Sequence, residues 1–245
     1  MINAKSRILC VFEGAKREVG YFHSMTSHFF SESDIVHCCY GNDLYELARL
    51  LTRDGNDPDD FDIFEVIKEH NTVKENEKLF TKYTRDDFNQ VYLFFDFEYH
   101  DDKYNEDDIK NLIEIFNEET EVGKLFISYP MVEAIRDIPS YELFVDYSIE
   151  LDEAKSNVYK TSSSEKIQDF VHAKKITKAQ WNSLVMASVS KANYLVNADK
   201  HKETIVEQSC ILNSQLTSIN KNNRIFVLSA YPMFLHNQFD IESFK

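Results

Sequence analysis

The chain has 245 residues, of which 43% are hydrophobic, 13% aromatic and 28% charged, with a formal net charge of −15. This composition supports a packed core and excludes intrinsic disorder, while five glycines and four prolines exclude a low-complexity chain. No apolar run reaches the length of about 18 residues that a transmembrane helix needs. The first residues lack the apolar core and cleavage site of a signal peptide, so we expect a cytoplasmic protein.

The charge is distributed unevenly along the chain. Residues 1–150 carry 15 Lys and Arg against 33 Asp and Glu, a balance of −18, whereas residues 151–245 carry 12 against 9, a balance of +3. Nonspecific binding of nucleic acid depends on neutralising phosphates, which an acidic surface disfavours. If the protein acts on nucleic acid, we expect the later part of the chain or a partner to supply the positive surface.

Predicted strands alternate with predicted helices in the first part of the chain. Short apolar runs predict four strands: Arg7–Phe12, Asp34–Gly41, Val91–Phe95 and Lys124–Pro130. Helical spacing follows the first strand at Val19, Phe22, Met25 and Phe29. A second helix is predicted after Asn42 or Asp43 as N-cap, with an apolar face of Leu44, Leu47, Leu50 and Leu51. Further helices are predicted in FDIFEVIKEH, after an acidic turn at Asp57–Asp62, and in NEDDIKNLIEIFNEE. This alternation indicates an α/β fold with a mostly parallel sheet.

The pattern becomes largely helical in the last part of the chain. From about Lys155 the spacing favours helices, including one or two in AKKITKAQWNSLVMASVSKANYLV, and the late run RIFVLSAYPMF is compatible with one more strand. We therefore expect an α/β domain over residues 1–150 and a mainly helical region over residues 151–245.

Carboxylates follow three of the predicted strands. They are Glu13, Asp96, Glu98 and Glu133. Because functional groups of α/β sheets collect where strands end, we expect these side chains to lie close together. Asp96 and Glu98 would point to the same face if the strand continued. Oxygen ligands of this kind suit Mg²⁺ or Mn²⁺. A solvated loop is the alternative for an isolated Asp-x-Glu.

Residues around these carboxylates allow further interpretations. Gly14 would permit a tight turn that aims the side chain of Glu13. His100 is either a proton carrier for a leaving group or an exposed loop histidine. Four further acids near the cluster are expected to be surface or helix N-terminal charges: Asp101, Asp102, Asp107 and Asp108.

The four cysteines, Cys10, Cys38, Cys39 and Cys210, form no C-x-x-C pair. Two of the three cysteine sites lie in strand-like runs, which favours buried free thiols. A zinc site built from His37, Cys38 and Cys39 is the alternative, although the spacing is unlike that of known zinc motifs.

Three motifs together resemble those of TOPRIM nucleases, especially the RloB-like and AbiL-type branch related to the OLD family. The segment F-E-G-A-K-R-E-V-G-Y-F at Phe12–Phe22 is similar to the first motif, a strand that ends in Glu-Gly before a helix. L-F-F-D-F-E at Leu93–Glu98 is similar to the second, and S-Y-P-M-V-E at Ser128–Glu133 to an S-x-P-x-x-E segment of this branch. The resemblance covers residues 7–135 and implies a helical insertion at about residues 42–89.

The resemblance implies a TOPRIM-like sheet and a Mg²⁺- or Mn²⁺-dependent endonuclease that cleaves DNA or RNA, tRNA included. Glu13 would be a metal ligand or general base, Asp96 and Glu98 would bind the divalent ions, and Glu133 would complete the site. Family members act in bacterial antiphage defence and abortive infection, often with an ABC- or SMC-like ATPase partner. The second acid of the Asp-x-Asp motif is a glutamate here, Glu98, which metal coordination tolerates but which would alter the geometry of the site. Related enzymes also use a late basic residue, for which the candidates are Lys160, Lys174, Lys175, Lys178 and Lys191.

Two other classes of function compete with a nuclease. A haloacid-dehalogenase-like phosphatase also places an Asp after an apolar strand, but its D-x-D-x-T pattern is absent and Glu13 would have no role. A non-catalytic acidic protein could instead bind a basic partner, with contacts from Tyr99, Tyr104, Tyr129 and Tyr141. Binding of a divalent ion that requires both Glu13 and Asp96 would distinguish a nuclease from such a protein.

Overall fold

The computed structural model describes residues 7–32, 34–53, 61–165 and 168–245. The fold is α/β, with a mostly parallel five-stranded sheet, flanking helices and a helical C-terminal portion, which confirms the predicted class. Most of the predicted acidic turn, residues 57–60, lies outside the described residues. Two compact units are formed by Met1–Phe95 with Asn105–Leu125, and by Asp96–Tyr104 with Phe126–Lys245.

The five-stranded sheet has the order β2-β1-β3-β5-β4. Its strands are β1 (Ile8–Phe12), β2 (Ile35–Cys39), β3 (Gln90–Asp96), β4 (Asn117–Glu118) and β5 (Gly123–Ser128). Strand β1 pairs in parallel with both β2 and β3, and Phe12 lies opposite Cys39 on one side and Phe94 on the other. The carboxyl ends of β1 and β3 therefore meet at one edge of the sheet.

The helices of the first unit follow β1, β2 and β3 along the chain. They are α1 (Arg17–Phe29), α2 (Leu44–Arg53), α3 (Ile63–Glu69), α4 (Glu77–Lys82) and α5 (Glu106–Ile115). Asp43, rather than Asn42, starts α2, because its Oδ1 accepts the N–H of Glu46 at 2.8 Å. Helices α2, α3 and α4 lie between β2 and β3 in the chain.

The core of the first unit is built around the central strands. All five residues of β1 are buried, and so are Val91 to Phe95 of β3, as expected for parallel strands that are covered on both faces. The ring of Phe12 packs 4.9 Å from that of Phe94 and 5.3 Å from that of Phe22 on α1. Each such side chain contributes about 1.5–3 kcal/mol of burial free energy, so these contacts hold β1, β3 and α1 together.

Most of the second unit is helical. After the cis peptide bond Tyr129–Pro130 and a 3-10 turn at Val132–Ile135, its helices are α6 (Tyr141–Phe144), α7 (Ser156–Ser162), α8 (Lys178–Asn197), α9 (Gln208–Asn222) and α10 (Ala230–Gln238). Strands β6 (Ser148–Glu150) and β7 (Arg224–Phe226) form a small antiparallel sheet. Among the described residues, no helix combines the length and apolarity needed to cross a lipid bilayer.

Two predicted strands differ from those observed. The late run at Arg224–Phe234 contains a strand of three residues and then turns into helix α10, which begins at Ala230. The apolar residues of this run are buried within a helix. A short continuous apolar run is common to buried helices and buried strands, so the sequence pattern does not distinguish between the two. The strand predicted to reach Pro130 ends at Ser128 and is followed by the cis peptide bond between Tyr129 and Pro130.

Candidate metal centre

Three of the four predicted carboxylates are brought together. One carboxylate oxygen from each of Glu13, Asp96 and Glu98 lies within 4.8 Å of the others, and all three side chains are partly exposed. Within the described ranges, no other set of three or more His, Cys, Asp or Glu side chains is grouped so closely. The arrangement offers three oxygen ligands from two separate segments of the chain.

Glu13 is held by backbone hydrogen bonds on both sides. Its N–H donates to the carbonyl oxygen of Phe94 at 3.2 Å, and its own carbonyl accepts the N–H of Gly41 at 2.9 Å. Gly41 has a φ of +83°, a conformation that glycine adopts without strain, and so closes the turn after β2. The first predicted ligand is therefore fixed by the strands on either side of β1.

A side chain at position 14 would meet the end of the Glu18 side chain. A Cβ atom on Gly14 would lie 2.9 Å from Oε1 of Glu18, closer than carbon and oxygen normally approach. The glycines with positive φ among the described residues are Gly41 and Gly123, so Gly14 does not use the left-handed backbone that a glycine turn would exploit. The end of the Glu18 side chain can move away, so neither the backbone conformation nor the space requires glycine here, and the expected special turn at Gly14 is not observed.

Asp96 and Glu98 come together by a different route from the predicted one. Strand β3 ends at Asp96 and does not continue, and Glu98 has a left-handed backbone with φ of 33°. The N–H groups of Phe97 and Glu98 both donate to the carbonyl oxygen of Pro130 at 3.1 Å, and that of Phe97 also reaches the carbonyl of Ser128. Such backbone is uncommon for residues other than glycine and is enriched at functional sites.

Phe97 anchors the segment between the two carboxylates. Its side chain is fully buried, and its ring lies 5.1 Å from that of Tyr129, 5.9 Å from that of Tyr104 and 6.2 Å from that of Tyr99. Burial of this ring leaves the flanking Asp96 and Glu98 partly exposed. Three of the four tyrosines expected as contacts of an interaction protein, Tyr99, Tyr104 and Tyr129, pack around Phe97.

The three carboxylates form a concentrated negative charge. Two unit charges 4.8 Å apart repel each other by about 1 kcal/mol in water and by about 3.5 kcal/mol at an effective dielectric constant of 20. A divalent cation among them would replace this repulsion with attraction. The all-oxygen donor set fits Mg²⁺ or Mn²⁺, which bind through a few carboxylates and keep several waters.

Glu133, the fourth predicted ligand, lies in the 3-10 turn after Pro130 and is 1% exposed. It does not belong to the group of three carboxylates. Its role as a further ligand therefore stays a prediction. By contrast, Asp107 and Asp108 lie in the first turn of α5, as expected for helix N-terminal charges, and their N–H groups bond to the side chain of Asn105.

His100 is an exposed loop residue. Its Nε2 lies 2.5 Å from the carbonyl oxygen of Leu151. Because a carbonyl oxygen accepts hydrogen bonds and cannot donate them, Nε2 carries the proton of this contact. A role for His100 as proton carrier would thus depend on its other ring nitrogen, Nδ1.

The prediction of buried free thiols is confirmed for three of the four cysteines and is wrong for Cys210. Cys10, Cys38 and Cys39 are buried and Cys210 is exposed. Burial raises the pKa of the Cys39 thiol to about 12, and burial also raises the pKa of Cys38. Among the described residues, His37, Cys38 and Cys39 form no three-ligand group, so the structure does not support the zinc alternative.

The five candidate lysines fall into two classes. Lys160, Lys174, Lys175 and Lys178 are exposed. Lys191 is completely buried on α8, where its Nζ donates to the carbonyl oxygens of Phe144 and Tyr147 at 2.8 and 2.6 Å. The environment of Lys191 is therefore that of a buried residue that stabilises the fold. Its position in a predicted helix did not reveal this burial.

Sequence reasoning did not single out Lys155, Ser156 and Asn157, which line a cavity next to Glu98. The one signal in the sequence is the change in the sign of the charge at about residue 151.

Comparison with known proteins does not assign the chain to a family. No protein-family model, curated protein or solved structure matches it significantly. The resemblance to TOPRIM nucleases rests on the three short motifs around Glu13, Asp96 and Glu133.

Proposed function

We propose that the chain is a divalent-metal-dependent endonuclease that cleaves DNA or RNA, with tRNA among the candidate substrates. The observation that carries this proposal is the group of three carboxylates, Glu13, Asp96 and Glu98, within 4.8 Å of one another. Their position at the carboxyl ends of β1 and β3 is where α/β sheets commonly hold their functional groups.

In this proposal the three carboxylates hold Mg²⁺ or Mn²⁺. A bound ion of this kind activates water and stabilises negative charge on a phosphoryl group. Asp96 and Glu98 act as ligands, held by the Pro130 carbonyl that accepts from the N–H groups of Phe97 and Glu98. Glu13 is a third ligand or a general base, and Glu133 is a candidate further ligand.

The biological setting is part of the proposal and rests on the motif resemblance. We propose an effector of a bacterial antiphage or abortive-infection system that works with an ABC- or SMC-like ATPase. The balance of −18 over residues 1–150 supports a partner, because an acidic surface disfavours independent capture of nucleic acid.

The test measures metal binding and cleavage together. Titration calorimetry with Mn²⁺ and cleavage of plasmid DNA and total tRNA with Mg²⁺ or Mn²⁺ compare the wild type with Glu13→Gln, Asp96→Asn and Glu98→Gln. Each change removes a charge while keeping the shape of the side chain. Glu114→Gln, which alters an exposed glutamate on α5, is the matched control.

The proposal expects metal-dependent cutting by the wild type and by Glu114→Gln, with a loss of at least about a hundredfold in each site variant. Absence of Mn²⁺ binding by the wild type would contradict the proposal and favour an acidic interaction protein. Hydrolysis of p-nitrophenyl phosphate without cutting of either nucleic acid would instead favour a phosphatase.

A further inference from the structure

A cavity of about 650 Å³ opens beside Glu98 in the second unit. Its lining combines charged and polar side chains, among them Lys155, Ser156 and Asn157, with the apolar Met131 and Val158. The volume is within the range of sites that bind small molecules or parts of larger ligands. One candidate metal ligand, Glu98, thus also forms part of the wall of a cavity.

The cationic group in this wall is available to a ligand. The Nζ of Lys155 lies 2.7 Å from Oδ1 of Asp152, but the two side chains are 52% and 81% exposed. An ion pair this exposed contributes little free energy, so an anionic ligand can replace Asp152 as the partner of Lys155. The hydroxyl group of Ser156 and the amide of Asn157 offer hydrogen bonds beside it.

The surrounding sequence has the opposite charge to the rest of the chain. Residues 155–178 contain six lysines and two acidic residues, in a chain whose net charge is −15. Lys155 is the first of these lysines. This segment therefore carries a net positive charge that favours the approach of a polyanion.

The apolar part of the cavity lining indicates that the ligand has a weakly polar group besides its anionic group. Val158 is 49% exposed, one of few large apolar side chains among the described residues that lie so open to solvent. The ring of His100, held at Leu151, adds an aromatic face to the same cavity. A ligand with an anionic group and a planar, weakly polar ring satisfies both kinds of surface, as a nucleotide does.

We propose that this cavity binds a nucleotide of the substrate strand next to the phosphate that is cleaved, with Lys155 contacting the flanking phosphate and the base lying against His100 and Val158. This inference rests on the proposed nuclease function and adds the position of the substrate. Lys155 is in this scheme a substrate-binding residue.

The test measures binding of fluorescein-labelled 12-nucleotide DNA and RNA strands by anisotropy in EDTA, with the full chain, at several salt concentrations. The wild type is compared with Lys155→Gln and with Lys155→Arg, which keeps the charge. Lys68→Gln is the matched control, because Lys68 also forms an exposed ion pair with an acid three residues earlier, Glu65. Val158→Asp tests the apolar face of the cavity.

We expect Lys155→Gln and Val158→Asp to weaken binding about three- to tenfold, with Lys155→Arg near the wild type. Lys155→Gln should also reduce the slope of log K against log salt by about 0.7, the value for one phosphate contact on a single strand. A purely structural role of Lys155 would not change this slope. Comparison of the two strands shows whether DNA or RNA is preferred.

The inference is overturned if Lys155→Gln binds with the affinity and salt slope of Lys68→Gln, or if the wild type binds neither strand. Titration with Mn²⁺ separates this failure from that of the proposed function. A wild type that binds Mn²⁺ and cuts, with no effect of Lys155→Gln, contradicts the nucleotide cavity alone. A wild type that binds no Mn²⁺ contradicts the nuclease itself.

Discussion

The backbone N–H of Glu13 donates to the carbonyl oxygen of Phe94 at 3.2 Å, one residue beyond the end of β1. This hydrogen bond continues the register in which Phe12 lies opposite Phe94. A shift of one residue would turn the side chains of β1 to the opposite faces of the sheet. The proximity of Glu13 to Asp96 is therefore set by strand pairing, before any contact between the two carboxylates is considered.

Removal of one charge from the carboxylate group should stabilise the protein in the absence of metal. We expect Asp96→Asn to raise the free energy of unfolding in EDTA by about 1 kcal/mol, because it relieves repulsion between partly exposed charges. Addition of Mn²⁺ should raise the melting temperature of the wild type, since ligands that bind the native state stabilise it. The variant should lose this response, as measured by thermal unfolding with and without Mn²⁺.

The control for this experiment is Glu114→Gln, which removes one charge elsewhere in the chain and should keep the wild-type response to Mn²⁺. A lower stability of Asp96→Asn in EDTA would show that Asp96 stabilises the metal-free fold, contrary to the prediction.

The side chain of Asn76 covers an edge of the sheet. Asn76 is 3% exposed, accepts the N–H of Cys39 at 3.0 Å and donates to the carbonyl oxygen of Cys39 at 2.7 Å. It thus supplies the two hydrogen bonds that a neighbouring strand would give to β2, which has β1 on its other side. We expect Asn76→Ala to destabilise the fold by about 2–3 kcal/mol, because two buried backbone groups lose their partner. Urea unfolding measures this, and Asn111→Ala, at an exposed position of α5, should change stability by less than about 0.5 kcal/mol.

The buried ammonium group of Lys191 holds α8 against the segment that ends α6. Besides its two carbonyl acceptors, its Nζ lies 4.1 Å from the centre of the Phe144 ring. Burial lowers the pKa of Lys191 well below its ordinary value, and the nearby Asp137 and Asp146 act in the opposite direction. We expect Lys191→Met to destabilise the protein by about 3 kcal/mol, because the carbonyl acceptors lose their donor and Asp137 loses a nearby cation.

Urea unfolding followed by the fluorescence of Trp181, which is buried on the same helix, measures the effect of Lys191→Met. Lys178→Met, at an exposed position of α8, is the matched control and should be nearly neutral. Equal stability of the two variants would show that the polar contacts of Lys191 contribute no net free energy.

The environment of His37 predicts a dependence of stability on pH. Burial, and secondly the charge of His23, lower the pKa of His37 to about 4 from its usual value near 6.5. The unfolded chain then binds the proton more tightly than the folded protein, so stability is complete above pH 6.5 and falls as the pH is lowered towards 4. The groove around His37 also contains charged side chains, namely Glu32, Glu75, Lys78 and Lys82.

We expect His37→Gln to reduce the loss of stability between pH 7 and pH 5 by about 1 kcal/mol, after allowance for solvent screening of this partly exposed ring. Urea unfolding followed by circular dichroism at the two pH values measures the difference. His201→Gln, which changes an exposed histidine, should keep the wild-type pH dependence. An unchanged pH dependence in His37→Gln would mean that other groups are responsible.

The strands and the approach of Glu13 to Asp96 could be predicted from the sequence because both depend on local patterns. Continuous apolar runs specify buried parallel strands, and the ends of parallel strands meet at one edge. The position of Glu98 could not be predicted in this way. It depends on a left-handed backbone held by the carbonyl of Pro130, which is far away in the sequence.

Burial of Lys191 is a second feature that local reasoning could not provide. Lysine is almost never fully buried, and its acceptors are backbone carbonyls of Phe144 and Tyr147, which no side-chain pattern reveals. The cavity at Lys155 was missed for a similar reason, since it forms only when the segments carrying Glu98 and Met131 fold next to the residues that follow Ala154.

The pairing of Tyr129 with Leu228 connects a segment that is distant in the sequence to the backbone beside the candidate metal centre. The two residues exchange N–H···O hydrogen bonds at 2.8 and 2.9 Å, and Tyr129 is followed by the Pro130 carbonyl that receives the N–H of Glu98. During synthesis, Glu98 leaves the ribosome long before Leu228 is added. A chain shortened by a premature stop codon before Leu228 therefore lacks the pairing that holds the segment next to Glu98.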